Sequence, residues 1–170
     1  YQETSIRMIA QHIEYSPTTI YLHFQDKDEL FYENMDRAFA LFFNYLSQKT
    51  HIKDPLERLK AMNYAYMDFA LEQSAYYDLM FVIKDPMRHQ KDSEGWEMGM
   101  RSHQFLTQTI QDCMEAGHFQ GQNPEALAIT IWAAIHGIET LHLRDRMNMF
   151  DLPKQKELMV GAVKAFHHMM

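Results

Sequence analysis

The sequence lacks most features that mark secreted, disulfide-bonded or membrane-spanning proteins. Its 170 residues contain one cysteine, Cys113, so no disulfide can form within the chain. It has no run of 18 apolar residues, the length that a membrane span needs, and its start shows no signal-peptide pattern. We therefore expect a cytoplasmic protein that does not enter a membrane.

Basic residues are also scarce. The chain has 16 Lys and Arg against 23 Asp and Glu, and a net charge of −7 argues against non-specific nucleic-acid binding by the whole surface. Residues 1–34 are acidic too, because Arg7 and Lys27 stand against six carboxylates. A DNA-binding segment needs positive charge near the phosphates, so this acidity counts against the motif described below.

Motifs for metal binding and catalysis are missing from the sequence. Neither Cys-x-x-Cys nor His-Glu-x-x-His occurs, and His136, Glu139 and His142 would diverge around a helix. Cys113 has no evident base beside it. We predict no metal site, no cofactor and no enzymatic activity. A helical enzyme that uses His103 or His136 as a base remains an alternative.

Helical periodicity runs through the chain, and no strand-like alternation is found, so the predicted fold is all-α. Caps followed by proline mark several helix starts, as in Asp54-Pro55 and Asn123-Pro124. After residue 26 the predicted helices run from Lys27 to about Thr50, from Pro55 to about Ser74, over 75–81, from Trp96 to Met114 with Gly117 as the stop, from Pro124 to about Arg144, and from Leu152 onward.

The stretch from Thr4 to Lys27 predicts two short helices joined by a tight link. Apolar residues in the first recur at i, i+3, i+4 and i+7 from Ile6, and either Thr4 or Ser5 caps it. Ser16 before Pro17 caps the second, whose outer side carries hydroxyls and ring tips instead of the usual charged residues. This spacing is that of a helix-turn-helix, whose second helix enters the major groove of DNA.

The same stretch, IRMIAQHIEYSPTTIYLHFQDKDELF, resembles the TetR-type (tetracycline-repressor-like) transcriptional regulators. The residues in register with the family pattern are Ile9-Ala10, Ser16, Thr19-Ile20-Tyr21, His23-Phe24 and Lys27-Asp28-Glu29-Leu30-Phe31. Glu14-Tyr15 departs from the usual Gly-Val, so the turn there is either shaped differently or strained. The pattern also places a further helix before Tyr1, and we expect that first helix to be missing from this sequence.

The resemblance implies an N-terminal helix-turn-helix domain over residues 1–36 that contacts DNA. Tyr21, His23 and Lys27 are expected mainly on phosphates, while Pro17, Thr18 and Arg7 are candidates for base contact. The full set of predicted DNA-binding residues is Thr4, Ser5, Arg7, Ser16, Pro17, Thr18, Thr19, Tyr21, His23 and Lys27.

The second half resembles the C-terminal domain of a TetR subgroup named for its Trp, His and Gly, here Trp132, His136 and Gly137. This implies a ligand-binding and dimerisation bundle over residues 37–170. Met and aromatic side chains suit an adaptable pocket for an apolar or aromatic ligand, although core packing is the simpler role for each one. The predicted ligand-binding residues are Tyr64, Met67, Tyr77, Met80, Phe81, Trp96, Met100, His103, Phe105 and His136.

The last two predicted helices carry more apolar surface than a small domain can cover, which predicts a subunit interface. Ala133 and Gly137 lie one turn apart, and such small residues let another helix approach closely. The predicted dimer-interface residues are Leu127, Ile131, Ile135, Ile138, Leu141, Leu158, Ala162, Ala165 and Met169.

Together the patterns and the resemblance indicate a homodimeric, ligand-responsive regulator that binds a palindromic double-stranded DNA operator. A repressor released by a small-molecule effector is the expected mode. The alternative is a helical small-molecule or lipid-binding protein whose DNA-binding head is vestigial, which the acidic head favours.

Overall fold

Eight α-helices make up the secondary structure of the residues that the computed structural model describes, 3–83 and 97–170. Within these ranges no strand is present, so the all-α prediction is confirmed. The helices are α1 Ile6–His12, α2 Pro17–Tyr21, α3 Lys27–Ser47, α4 Pro55–Glu72, α5 Ser74–Phe81, α6 Glu97–Glu115, α7 Pro124–Leu143 and α8 Leu152–Met169.

Side-chain caps fix where most of these helices begin. Ser16, Asp26, Asp54, Asn123 and Asp151 each accept a hydrogen bond from the backbone amide three residues later, at 2.8–3.1 Å. Each bond satisfies one of the amides that the first turn of a helix leaves unpaired. The starts predicted from these residues are therefore confirmed.

In three places a residue in the left-handed region lies two positions after the last residue of a helix, namely Glu14 (φ 59°) after α1, Gly117 (φ 97°) after α6 and Asp145 (φ 56°) after α7. At the end of α1 the amide of Tyr15 bonds the carbonyl of Ala10 at 2.9 Å, as in a Schellman motif. Of the two possibilities for the Glu14 turn, the structure shows the strained one, because a non-glycine residue occupies the left-handed position.

The long helix α3 links a small N-terminal head to the body. Ile6, Ala10 and Ile20 form the buried centre of the head, and Leu30 in the first turn of α3 packs against them. From Phe31 onward, the inner face of α3 lies in the main core with α4 and α5. The predicted domain boundary at residue 36 thus falls inside one continuous helix.

The final helices α7 and α8 bury narrower faces than their composition indicates. The buried residues of α8 are Gln155, Met159 and Val163, and those of α7 are Ala128, Ile131, Ile135 and Glu139. The helix α7 is long and apolar enough to cross a membrane, but the core helices of soluble proteins can also meet these two criteria. Within its most apolar stretch of 18 residues, 22% is buried in the structure. Much of its apolar surface therefore remains uncovered in a single chain.

Candidate functional site

The outer side of the helix-turn-helix presents most of the predicted DNA-contacting side chains to solvent. Thr4, Ser5, Arg7, Ser16, Thr18, Tyr21 and His23 are exposed, whereas Pro17, Thr19 and Lys27 are half-buried. Tyr21 is 55% exposed, which leaves its ring and hydroxyl available to a partner. These residues share one end of the molecule, and their contact with DNA stays a prediction.

Several of these polar groups also hold the head together. The Ser5 and Ser16 hydroxyls cap α1 and α2, and the Ser16 and Thr19 hydroxyls are 2.8 Å apart. The ammonium group of Lys27 donates to the backbone carbonyl of Thr4 at 3.0 Å, across 23 residues of sequence. Lys27 thereby fastens the start of α3 to the start of α1.

The acidic residues at the start of α3 have structural roles. Asp26 accepts from the amide of Glu29 at 2.8 Å, and Glu29 accepts from the amide of Gln25. A negative charge at this position is stabilised by the positive end of the helix dipole. Part of the acidity that counts against DNA binding is therefore used to cap a helix.

In the body, a cluster of rings and polar groups, here called the interior polar cluster, consists of Tyr66, Tyr77, Trp132, His136 and Thr140. The hydroxyl oxygens of Tyr77 and Tyr66 lie 2.7 and 3.1 Å from His136 Nδ1, and Trp132 Nε1 donates to the Tyr66 hydroxyl at 3.3 Å. His136 Nε2 is 3.3 Å from the Thr140 hydroxyl. These distances fit a neutral imidazole that accepts at Nδ1 and donates from Nε2.

Burial keeps the interior polar cluster uncharged. It lowers the pKa of His136 and raises the pKa of both Tyr66 and Tyr77. At neutral pH the imidazole and both phenols are therefore in their neutral forms. The cluster offers directional hydrogen bonds within an aromatic wall, because Phe81 lies 5.4–5.9 Å from the rings of Tyr77, Tyr66, His136 and Trp132.

The predicted ligand-binding residues separate into different parts of the structure. Met67, Tyr77 and Met80 are buried in the main core, and Phe81, Tyr64 and Phe105 pack against it. Of these, Tyr77 and Phe81 contact His136. Tyr64 packs edge-to-face on His167, with ring centroids 5.4 Å apart, and Phe105 packs on Phe43. Met100 is 52% exposed, His103 is half-buried, and Trp96 lies outside the described residues.

Glu139, one turn beyond Ile135 on α7, is a buried group that was not predicted as a site residue. It is fully buried, and neither carboxyl oxygen has a hydrogen-bond partner among the described residues. Burial raises its pKa to about 8, and the charge of Asp68 adds to the effect. The sequence signal was a Glu inside a mostly apolar helix, far from Glu125 in its first turn.

The predicted dimer-interface residues fall on two sides of α7 and α8. Ile131 and Ile135 are 1% and 2% exposed, so they belong to the chain's own core and are not available to a second copy. Leu127, Ile138 and Leu158 are half-buried, and the exposed members are Leu141, Ala162, Ala165 and Met169.

A surface for close helix approach lies on the outer side of α7. Ala133 is exposed, and a Cβ added to Gly137 would meet no atom within 4 Å.

In the parts of the chain that the structure describes, no group of three His, Cys, Asp or Glu is placed to hold a metal ion.

Comparison with known proteins places both parts of the chain. Residues 1–33 match the family described as bacterial regulatory proteins, tetR family, and residues 59–164 match the tetracyclin repressor-like C-terminal domain. By sequence comparison, no curated protein matches the chain.

Several solved structures share the fold at low sequence identity. A Rhodococcus protein of unknown function is 21% identical, with a TM-score of 0.77 over 98% of this chain and 84% of that one. PfmR, a TetR family transcriptional regulator from Thermus thermophilus, is 19% identical, with a TM-score of 0.70 over 82% and 76%. AibR in complex with isovaleryl coenzyme A and operator DNA is 17% identical, with a TM-score of 0.71 over 96% and 86%.

Proposed function

Because the chain belongs to the TetR family of DNA-binding regulatory proteins, we propose that it is a homodimeric repressor that a small effector releases from a palindromic operator. The observation that carries this proposal is the exposure to solvent of Thr18 and Tyr21 on α2 and of His23 just after it. In a homodimer two such heads would meet half-sites about one turn of DNA, roughly 34–36 Å, apart.

The effector is proposed to bind beside the interior polar cluster. Phe81 and Trp132 would contact an apolar or aromatic body, and Tyr77 and His136 would orient its polar group. AibR, which shares the fold, has been solved with both an acyl-coenzyme A and operator DNA. That structure supports a ligand-responsive mechanism but does not identify the effector of this chain.

An aromatic path connects this site to the head. Phe42 and Phe39 on α3 lie 5.7 and 6.0 Å from Phe81, and Phe42 lies 5.4 Å from Tyr66. A ligand that moves Phe81 would therefore shift α3 through these two contacts, and the first turn of α3 packs against the head. Release of DNA requires that the effector bind the DNA-incompetent arrangement more tightly than the competent one.

The proposed dimer forms through the outer sides of α7 and α8. Ile129 and Leu141 on α7 are 50% and 51% exposed, and Met169 on α8 is 77% exposed. The small residues Ala133 and Gly137 between them allow a helix of the second copy to approach closely. Ala133→Glu should shift sedimentation toward monomer, while the matched change Ala40→Glu on the exposed side of α3 should not. Equal dimerisation of the two variants would place the interface elsewhere.

Selection of duplexes from a random DNA pool tests the function. Enrichment of one inverted repeat is expected, and Tyr21→Ala and His23→Ala should each weaken binding roughly tenfold. The matched control His51→Ala changes an exposed histidine beyond the far end of α3, about 30 Å of helix from the head.

Salt provides a second test of the same contacts. Lys27 is the cation of each head that is expected on a phosphate, so for the two heads the logarithm of affinity should fall with log salt at a slope of about −1.8. A folded dimer that enriches no sequence would contradict the proposal and favour the small-molecule-binding protein with a vestigial head.

A further inference from the structure

A groove of about 430 Å³ lies between α4 and α8, away from the interior polar cluster. Its basic side chains are Lys60, Lys164, His167 and His168, its one carboxylate is Glu57, and we refer to it as the basic groove. Its size is within the range of small-molecule sites. Only Tyr64 among the predicted ligand-binding residues lines it, so it is separate from the proposed effector site.

One side chain of the basic groove is held in place by a buried partner. Asn63 is 4% exposed, and its side-chain amide donates to His167 Nε2 at 3.1 Å. Because Nε2 accepts this bond, the ring proton of neutral His167 is on Nδ1, which can donate to a ligand. Tyr64 packs edge-to-face on the same ring, with the two planes at 90°.

Two ammonium groups, Lys60 and Lys164, stand against the single carboxylate of Glu57 in the groove, and this net positive charge favours an anion. Lys60 is paired with Glu57 at 2.7 Å, whereas Lys164 has no carboxylate partner within residues 3–83 and 97–170. His168, one turn from Lys164 on α8, is exposed and adds a further donor. Ile52 and Ala61 add apolar surface to the lining.

The groove borders the side of α8 that is proposed to face a second copy. At 100° per residue, Lys164 lies about 200° around α8 from Ala162, but Ala165 lies about 100° from Lys164 and about 60° from His168.

We propose that the basic groove binds a small organic anion whose carboxylate or phosphate group is held by Lys164 and His168 and whose apolar part rests on Tyr64. This site is additional to the proposed function, and its occupancy does not depend on DNA binding.

Calorimetric titration of the full chain with phenyl phosphate tests the proposal. One saturable site per chain is expected, with Lys164→Gln and Lys60→Gln each weakening binding about fivefold. Lys154→Gln is the matched control, because Lys154 is also paired with a glutamate three residues away, at 2.9 Å, but lies outside the groove. All three lysines are on the surface, so the fold should survive each change.

Nuclear magnetic resonance spectra of the same samples show where the ligand binds. The ring signals of His167 and His168 should shift on titration, and those of His136 should not. Neutral phenyl glucoside should bind at least tenfold more weakly. The proposal is overturned if no saturable binding occurs, if Lys154→Gln weakens binding as much as Lys164→Gln, or if inorganic phosphate binds as tightly as phenyl phosphate.

Discussion

Replacing Glu139 by glutamine is expected to change how the stability of the protein depends on pH. The carboxyl group is fully buried without a hydrogen-bond partner among the described residues, and its pKa is raised to about 8. The folded state therefore holds a proton that the unfolded chain, with a pKa near 4.5, has already released. The contribution of Glu139 to the free energy of unfolding is therefore full below pH 4.5 and is lost as the pH rises through 8.

The size of the effect follows from the two pKa values. Between pH 6 and pH 8 the free energy of unfolding should fall by about 2 kcal/mol because of Glu139 alone. His136 and His167 act in the opposite direction, since their lowered pKa values favour the folded state above pH 6.5 and cost stability below it. The difference between wild type and Glu139→Gln isolates the carboxyl group from these other titrations.

Urea unfolding at pH 6, 7 and 8 provides the measurement, with the protomer concentration held constant because a dimer's stability depends on it. Relative to wild type, Glu139→Gln should gain about 2 kcal/mol between pH 6 and pH 8. Glu139→Met, which removes the polar group at similar volume, should show the same pH dependence as Glu139→Gln. Parallel pH profiles for wild type and both variants would refute the reasoning.

Other predictions concern helix ends and the interior polar cluster. Glu14→Gly should raise the free energy of unfolding by about 1 kcal/mol in urea titration, because glycine relieves the left-handed strain; a decrease would contradict this. Gly117→Ala should lower it by about 1 kcal/mol, whereas Gly161→Ala, inside α8 with open space around the added Cβ, should raise it by roughly 0.5–1 kcal/mol. Calorimetric melting that moves both variants in the same direction would be inconsistent with the assigned conformations. Tyr77→Phe should cost about 1–3 kcal/mol in urea unfolding, because His136 and Thr140 lose a buried partner; an unchanged midpoint would show that the hydroxyl is dispensable.

The helices could be predicted from the sequence because their ends are marked locally. Asp54-Pro55 and Asn123-Pro124 each supply a cap and a proline at the first helical position, and both starts are observed where predicted. The helix-turn-helix was predictable for the same reason, since Ser16 caps α2 through its immediate neighbours. Local chemistry of this kind needs no knowledge of the tertiary fold.

The grouping of side chains in the body could not be predicted in this way. Periodicity shows which residues share a helical face but not which other helix covers that face. Leu158 and Ala162 form a regular stripe on α8, yet the core is filled by Met159 and Val163 on the adjacent side. Asn63 and His167 meet across 104 residues, and no local signal relates them.

The small centre of the head has a consequence for motion. Ile6, Ala10 and Ile20 are its only residues, within the described part of the chain, that belong to a buried cluster, and they pack with Leu30 on the first turn of α3. So little apolar burial gives α1 and α2 a low free energy of local opening compared with Phe39 and its neighbours in the main core. Amide hydrogens of the head should therefore exchange quickly in the free protein and slowly when the protein is bound to DNA. Part of the free energy of DNA binding would then offset the cost of ordering α1 and α2.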